Sequence, residues 1–307
     1  MTAVVPRSLP MREMFGRTVT ELLDTDPRLA LVLADISADM FRGAAKRHPD
    51  RVVNVGIREQ LLISTASGLA MTGFRPVVHT FASFLVDRPY EQVKLDLNHQ
   101  DVGAVLVSYG ASYDMSTGGR SHQSPGDVAL LDTLPGWTVH VPGHPDEADS
   151  LLRTAVAGDD RVYVRLSAQS NAGAHGTEGV RIVRPGRRGV VLAVGPTLDR
   201  VLAATATMDV AVAYAATVRP LDGRGLRAAV LAADRADVVV VEPYLAGTSA
   251  YLVNAALDDV RHRLLSLGVS REFELRMYGT LDDHDAAHGL DTAGIAAAVR
   301  SFLDRGE

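Results

Sequence analysis

The stretch VVNVGIREQLLISTASGLAMTG, Val52 to Gly73, decides the reading of this chain. A β-branched run reaches Gly56, and an apolar segment with helical spacing follows from Arg58 to Thr72. Strand, glycine, helix is the first half of a βαβ unit, so the fold around it carries a parallel sheet. One acid, Glu59, stands at the junction. A carboxylate in a first helical turn is favoured by the helix dipole, which is a sufficient structural reason for it. The carboxyl ends of parallel strands are also where open α/β sheets place ligands, which gives Glu59 a second possible role.

The pattern repeats outward. Strand candidates are Leu29–Ala34, Arg51–Val55, Pro76–Thr80, Val102–Ser108, Trp137–Val141 and Val162–Leu166. Amphipathic segments lie between several of them, notably Asp87–His99 and Pro145–Ala157. Continuous apolar strands alternating with helices imply a mostly parallel sheet covered on both faces. Ser170–Arg188 is rich in glycine and small residues and then basic, which reads as a linker or a loop ending in a strand. The alternation restarts at Gly189–Gly195, Asp209–Ala215 and Asp237–Pro243, with a fourth strand expected at Phe273–Gly279 and a closing helix at Thr292–Leu303. The expectation is an α/β protein of two domains, 1–175 and 176–307, each a mostly parallel sheet flanked by helices.

Composition narrows the chemistry. The 307 residues include no cysteine, so disulfides, zinc–thiolate sites and thiol catalysis are excluded. The formal charge of −6, without any long Lys/Arg block, points away from nucleic acid and membrane partners. No apolar stretch reaches the roughly 18 residues of a spanning helix. The opening MTAVVPRSLPMRE lacks the layout of a signal peptide, and a cytoplasmic protein is expected. The histidines show no zinc spacing. GRGLRA at Gly223–Ala228 stands too far past its strand for a phosphate loop.

Two further groups stand out. HTFASF ends a strand with Phe81 and Phe84 three residues apart, a spacing that suits a flat heterocycle as well as a core. His122, in the polar loop GGRSHQSPGD, is either a proton carrier near neutral pH or a loop bystander.

Together, VGIREQ, SGLAMTGFRPVVHTFASF, YEQV and SHQ, in this order and spacing, resemble the C-terminal half of thiamine-diphosphate-dependent transketolases. ADIS at Ala34–Ser37 and VRPLD at Val218–Asp222 fit as well. The resemblance implies a pyrimidine-binding domain followed by the transketolase C-terminal domain. It implies that Glu59 hydrogen-bonds N1′ of the cofactor's aminopyrimidine, helping the ring's imino nitrogen take the thiazolium C2 proton. It makes Phe81 and Phe84 the wall that seats the ring, and His122 the histidine that handles substrate oxygens. Arg12, in MREMFGRTV, matches a substrate-phosphate arginine of the family.

The departures matter too. The family grips diphosphate and Mg with a GDG motif and a downstream Asn, and this sequence contains no GDG. GDD at Gly158–Asp160 lacks the partner Asn. The resemblance therefore implies a partner subunit of the N-terminal transketolase type that anchors thiamine diphosphate and Mg, in an α2β2 complex with a homodimer contact. Other phosphate-binding positions are altered: Gly110 or Ala111 stands for a histidine, Ala168 for an arginine, Asp39 for a serine and Gly118 for an acid that reads a sugar hydroxyl. Alanine offers a phosphate no donors, so the sugar-like substrate is expected to differ from the usual sugar phosphates, unless Arg88, Arg120 or Arg165 takes over. The expected reaction is transfer of a two-carbon ketol unit. The alternatives are a β subunit of the decarboxylating component of a 2-oxo acid dehydrogenase, a hybrid passing the unit to a lipoyl or carrier thiol, and a non-catalytic subunit that kept the fold. Glu242 is expected to be structural.

Overall fold

A computed structural model describes residues 9–305. The start of the segment read above as lacking a signal peptide, Met1–Ser8, lies outside the described residues. The first half carries strands β1 (Leu29–Leu33), β2 (Val52–Asn54), β3 (Arg75–Phe81), β4 (Val105–Tyr109), β5 (Trp137–His140) and β6 (Arg161–Arg165). The second carries β7 (Arg181–Arg184), β8 (Val190–Val194), β9 (Ala211–Ala215), β10 (Thr217–Arg219), β11 (Asp237–Leu245) and β12 (Arg263–Val269). They form a seven-stranded sheet in the order β10-β5-β6-β4-β3-β1-β2 and a five-stranded sheet in the order β12-β11-β8-β9-β7. Pairing is parallel throughout, except that β10 runs against β5 and β7 against β9. This is the two-sheet α/β architecture that the alternation of the sequence predicts.

The period-two alternation of strand side chains explains the layering. Leu31 and Leu33 of β1 face one way, into a core with Phe15, Val19 and Leu23 of the helix Met11–Thr25 and Leu152 of the helix Pro145–Ala157. Val32 faces the other way, onto Leu62, Ile63 and Ala66 of the helix Glu59–Met71. That second core continues without a break into Val190, Leu192, Val238 and Val240 of the five-stranded sheet, so the two halves share apolar packing. Strand β10 ties them further: it leaves the second half of the chain to pair with β5, Thr217 opposite His140.

One expected strand is absent. The segment Phe273–Gly279 is a loop, and the place beside β11 is taken by β12, RLLSLGV. Phe273, Met277 and Tyr278 of that loop are 49%, 55% and 62% exposed, so its alternating apolar residues bury no strand face. The Gly223–Ala228 segment opens the helix Gly223–Leu231, whose start is capped by Asp222 accepting from Gly225 N. The same carboxylate accepts from Val180 N.

Candidate active site

The order β4-β3-β1-β2 puts a topological reversal between β1 and β3, and the crevice at the carboxyl ends of these strands is the natural site in such a sheet. Every site residue read from the sequence lies at this edge. β2 ends at Asn54, and Gly56, at φ +70°, turns the chain into the helix that Glu59 opens. Glu59 is 4% exposed. Its Oε1 accepts from Arg88 Nη1 at 3.0 Å, the one hydrogen bond its carboxylate makes among the described residues.

β3 delivers the aromatic residues. Phe81 is its last residue, and Phe84 follows in a π-helical turn, Ser83–Asp87. Such turns recur at functional sites. The two rings meet edge to face with centroids 5.6 Å apart, and Phe81 also lies 5.9 Å from Tyr109, the last residue of β4. His122 closes the group: its ring is 5.8 Å from Phe81 and 5.1 Å from Phe84. Its loop is held by Ser83 Oγ donating to the Ser121 carbonyl at 3.1 Å. His122 Nδ1 lies 3.0 Å from Ser121 Oγ, which leaves Nε2 to another partner.

Arg12 approaches from the first helix. Its Nε donates to Ser37 Oγ at 3.0 Å, and its guanidinium lies 5.2 Å from the Tyr109 ring centroid. Ser37 in turn lies 2.9 Å from His79 Nε2, while His79 Nδ1 lies 2.8 Å from the Val107 carbonyl. A carbonyl only accepts, so Nδ1 carries the proton and Nε2 accepts from the serine. Burial pushes the His79 ring down to about 4, which keeps it neutral. The sequence reading missed this chain of contacts. Its signal was the histidine within the otherwise apolar VVHT of β3.

The arginines divide sharply. Arg165 is 1% exposed, with Nε donating to Asp127 Oδ2 at 2.7 Å and Nη2 to Ser112 Oγ at 2.7 Å. A guanidinium sealed in this way reaches no substrate, so Arg165 does not replace the missing phosphate anchors. Arg88 is engaged by Glu59. Arg120 donates to the Gln123 carbonyl at 3.1 Å and lies 3.7 Å from Glu274. With Tyr113, Arg271, Phe273 and His288 it lines a cavity of about 410 Å³ that Glu59 and Phe84 do not line. Tyr278 of the same C-terminal loop lies against Gly119, where an added Cβ would stand 2.7 Å from the ring.

Glu242 is structural, as expected. It is fully buried, and its two oxygens accept from the Gly247 and Ser249 amides at 2.5 and 3.1 Å, shaping the turn after β11.

Residues 7–172 match the transketolase pyrimidine-binding domain. The chain belongs to the transketolase pyrimidine-binding family. It is 57% identical over 303 residues to an uncharacterized 33.6 kDa protein of the fasciation locus of Rhodococcoides fascians, covering 97% of both chains. It is 30% identical over 316 residues to a 1-deoxy-D-xylulose-5-phosphate synthase of Thioalkalivibrio sulfidiphilus, covering 97% of this chain and 48% of that one. The chain thus spans about half the length of the synthase. Its fold matches a solved split-gene transketolase, described as an inactive β4 tetramer, with a TM-score of 0.85, 24% identity and coverage of 97% and 99%.

Phe81, Phe84 and His122 form one cluster, and Arg88 links it to Glu59 by bonding the carboxylate and stacking on the Phe84 ring. The fit to an aminopyrimidine rests on a carboxylate whose second oxygen accepts no hydrogen bond among the described residues, at the same end of the sheet as an aromatic cluster.

Proposed function

We propose that this chain is the pyrimidine-binding half of a thiamine-diphosphate-dependent, transketolase-like transferase that moves a two-carbon ketol unit in the cytoplasm. A second polypeptide, carrying the diphosphate and magnesium site, completes the enzyme as an α2β2 assembly. The observation that carries the reading is the buried Glu59 carboxylate, joined through Arg88 to Phe84 of the Phe81–Phe84–His122 cluster. Two further findings support it. The sequence has no GDG motif, and a solved chain of the same fold and nearly the same extent is described as a split-gene transketolase that is inactive as a homotetramer.

When bound, thiamine diphosphate supplies a carbon nucleophile and an electron sink for breaking the bond next to a ketone. The chain's residues supply the rest. Glu59 holds a proton at the pyrimidine N1′, and its burial keeps water from competing for that contact. Phe81 and Phe84 would supply the aromatic wall that seats the ring. His122, with Nδ1 beside Ser121, presents Nε2 to a hydroxyl or carbonyl oxygen of the ketose. Arg12, fixed through Nε by Ser37, makes no hydrogen bond through its two terminal nitrogens among the described residues and would offer them to an oxygen-rich group of the substrate.

The donor in this reading is a ketose that does not depend on a phosphate anchor. Arg165 is sealed and Ala168 has no donor side chain, which leaves, among the described candidate residues, Arg12, the half-exposed Arg120 and an Arg88 that Glu59 engages in the free chain. Reconstitution tests the proposal. The purified chain should show no ketol transfer, and adding a polypeptide that carries GDG and the downstream Asn should restore it. Full turnover by this chain alone would contradict the split-enzyme reading.

A further inference from the structure

Glu59 and Phe84 share one partner. Arg88 Nη1 donates to Glu59 Oε1 at 3.0 Å, and the guanidinium carbon lies 3.5 Å from the centroid of the Phe84 ring. A guanidinium is a flat, delocalised group with N–H bonds in its plane, able to bond a carboxylate at its edge and stack through its face. An aminopyrimidine with the proton at N1′ likewise donates to a carboxylate at its edge and stacks through its face. We propose that Arg88 is an internal stand-in for the pyrimidine, closing the site in the free chain and swinging out when the cofactor is loaded. The inference rests on the reading of Glu59 given above.

The local structure lets this happen without refolding. The Arg88 side chain is 41% exposed where that of Glu59 is 5%, so the arginine lies over the carboxylate from the solvent side. Its backbone is fixed independently: the Arg88 amide donates to the Ser83 carbonyl at 3.2 Å, and its own carbonyl accepts from Gln60 Nε2 at 3.2 Å. Rotation about the side-chain bonds is therefore enough to uncover the site. A half-exposed ion pair and one cation–π contact are both modest, so the stand-in weakens a competing ligand by about tenfold rather than excluding it. Free chains would then be kept from binding the cofactor loosely before a partner grips its diphosphate.

The test uses the full chain and 4-amino-5-hydroxymethyl-2-methylpyrimidine, which lacks the diphosphate and needs no partner. Isothermal titration is run on the wild type, Arg88→Met, Arg88→Lys, Glu59→Gln and the Arg88→Met/Glu59→Gln double variant. Arg88→Met should bind about tenfold more tightly than the wild type, with Arg88→Lys between them, because lysine keeps the charge and loses the stacking plane. The double variant should lose the gain. Equal affinity with and without Arg88, still weakened by Glu59→Gln, would overturn the stand-in and leave the role of Glu59 standing. Binding indifferent to Glu59→Gln, or no binding by Arg88→Met, would overturn the stand-in, and the first of these would remove the role of Glu59 as well.

Discussion

Ser37 Oγ lies 2.9 Å from His79 Nε2 and accepts from Arg12 Nε at 3.0 Å, so one buried serine joins the sheet interior to a guanidinium at the cleft. Ser37 sits at φ +62°, a conformation glycine adopts without strain. Ser37→Gly therefore removes the hydroxyl and keeps the turn. It should cost about 1 kcal/mol in urea unfolding, because His79 Nε2 loses its donor. In the reconstituted enzyme it should raise KM for the ketose several-fold with kcat little changed, because Arg12 is no longer held. Unchanged KM would mean that Arg12 does not touch the substrate.

His79 and His140 set an acid limit to stability. Burial lowers both rings from 6.5 to about 4. Between those values the unfolded chain binds protons that the folded chain refuses, so stability falls as pH drops from 6.5 towards 4. The loss between pH 6.5 and 5 is on the order of 2 kcal/mol per histidine. Glu242, pushed up to about 7 by burial, acts in the opposite sense across the same range. The comparison is therefore between variants: His79→Asn and His140→Asn should each flatten the acid limb relative to the wild type in denaturant titrations at pH 7 and 5. A limb of unchanged slope in both would contradict the assignment.

Asp127 is the counter-charge of a sealed guanidinium. Its Oδ2 accepts from Arg165 Nε and from the Tyr163 hydroxyl, both at 2.7 Å. Asp127→Asn leaves the arginine buried without a partner charge, which costs about 3–5 kcal/mol. A fall in melting temperature of roughly 10 °C should follow. Asp127→Asn/Arg165→Met should recover part of it. A single variant as stable as the wild type would show that the pair is not held as described.

Gly110 is, with Ala111, one of the two positions at which the resemblance expects a histidine, and the structure gives a larger residue there a cost. The residue has φ +74°, and an added Cβ would stand 3.0 Å from Phe81 Cδ1. Gly110→Ala should destabilise the chain by about 1–2 kcal/mol through backbone strain. It should also weaken aminopyrimidine binding by displacing the Phe81 ring. Titration with the pyrimidine and urea unfolding measure the two effects separately.

Much of this site was legible because its residues sit at element junctions. Glu59 follows a strand and a glycine, and Phe81 ends a strand, so their order along the chain already placed them at one edge. The contacts among them were not legible. Nothing in the one-dimensional order pairs Arg88 with Glu59, although Phe84 and Arg88 stand four residues apart, a spacing that brings side chains together on a helix. The Phe273–Gly279 segment misled because alternation marks a strand only where a neighbouring edge is available, and β12 holds that edge. β10 was hidden for a similar reason: with one residue between it and β9, the chain crosses to the other sheet, a choice made by tertiary pairing rather than propensity.

The most direct measurement is the turnover of Glu59→Gln in the reconstituted enzyme, with its melting temperature recorded beside it. Removing the proton partner of the pyrimidine should lower kcat by at least about 10²-fold while the fold melts as before. Wild-type turnover by the variant would mean that this carboxylate does not hold the ring nitrogen, and the account of the site would fail with it.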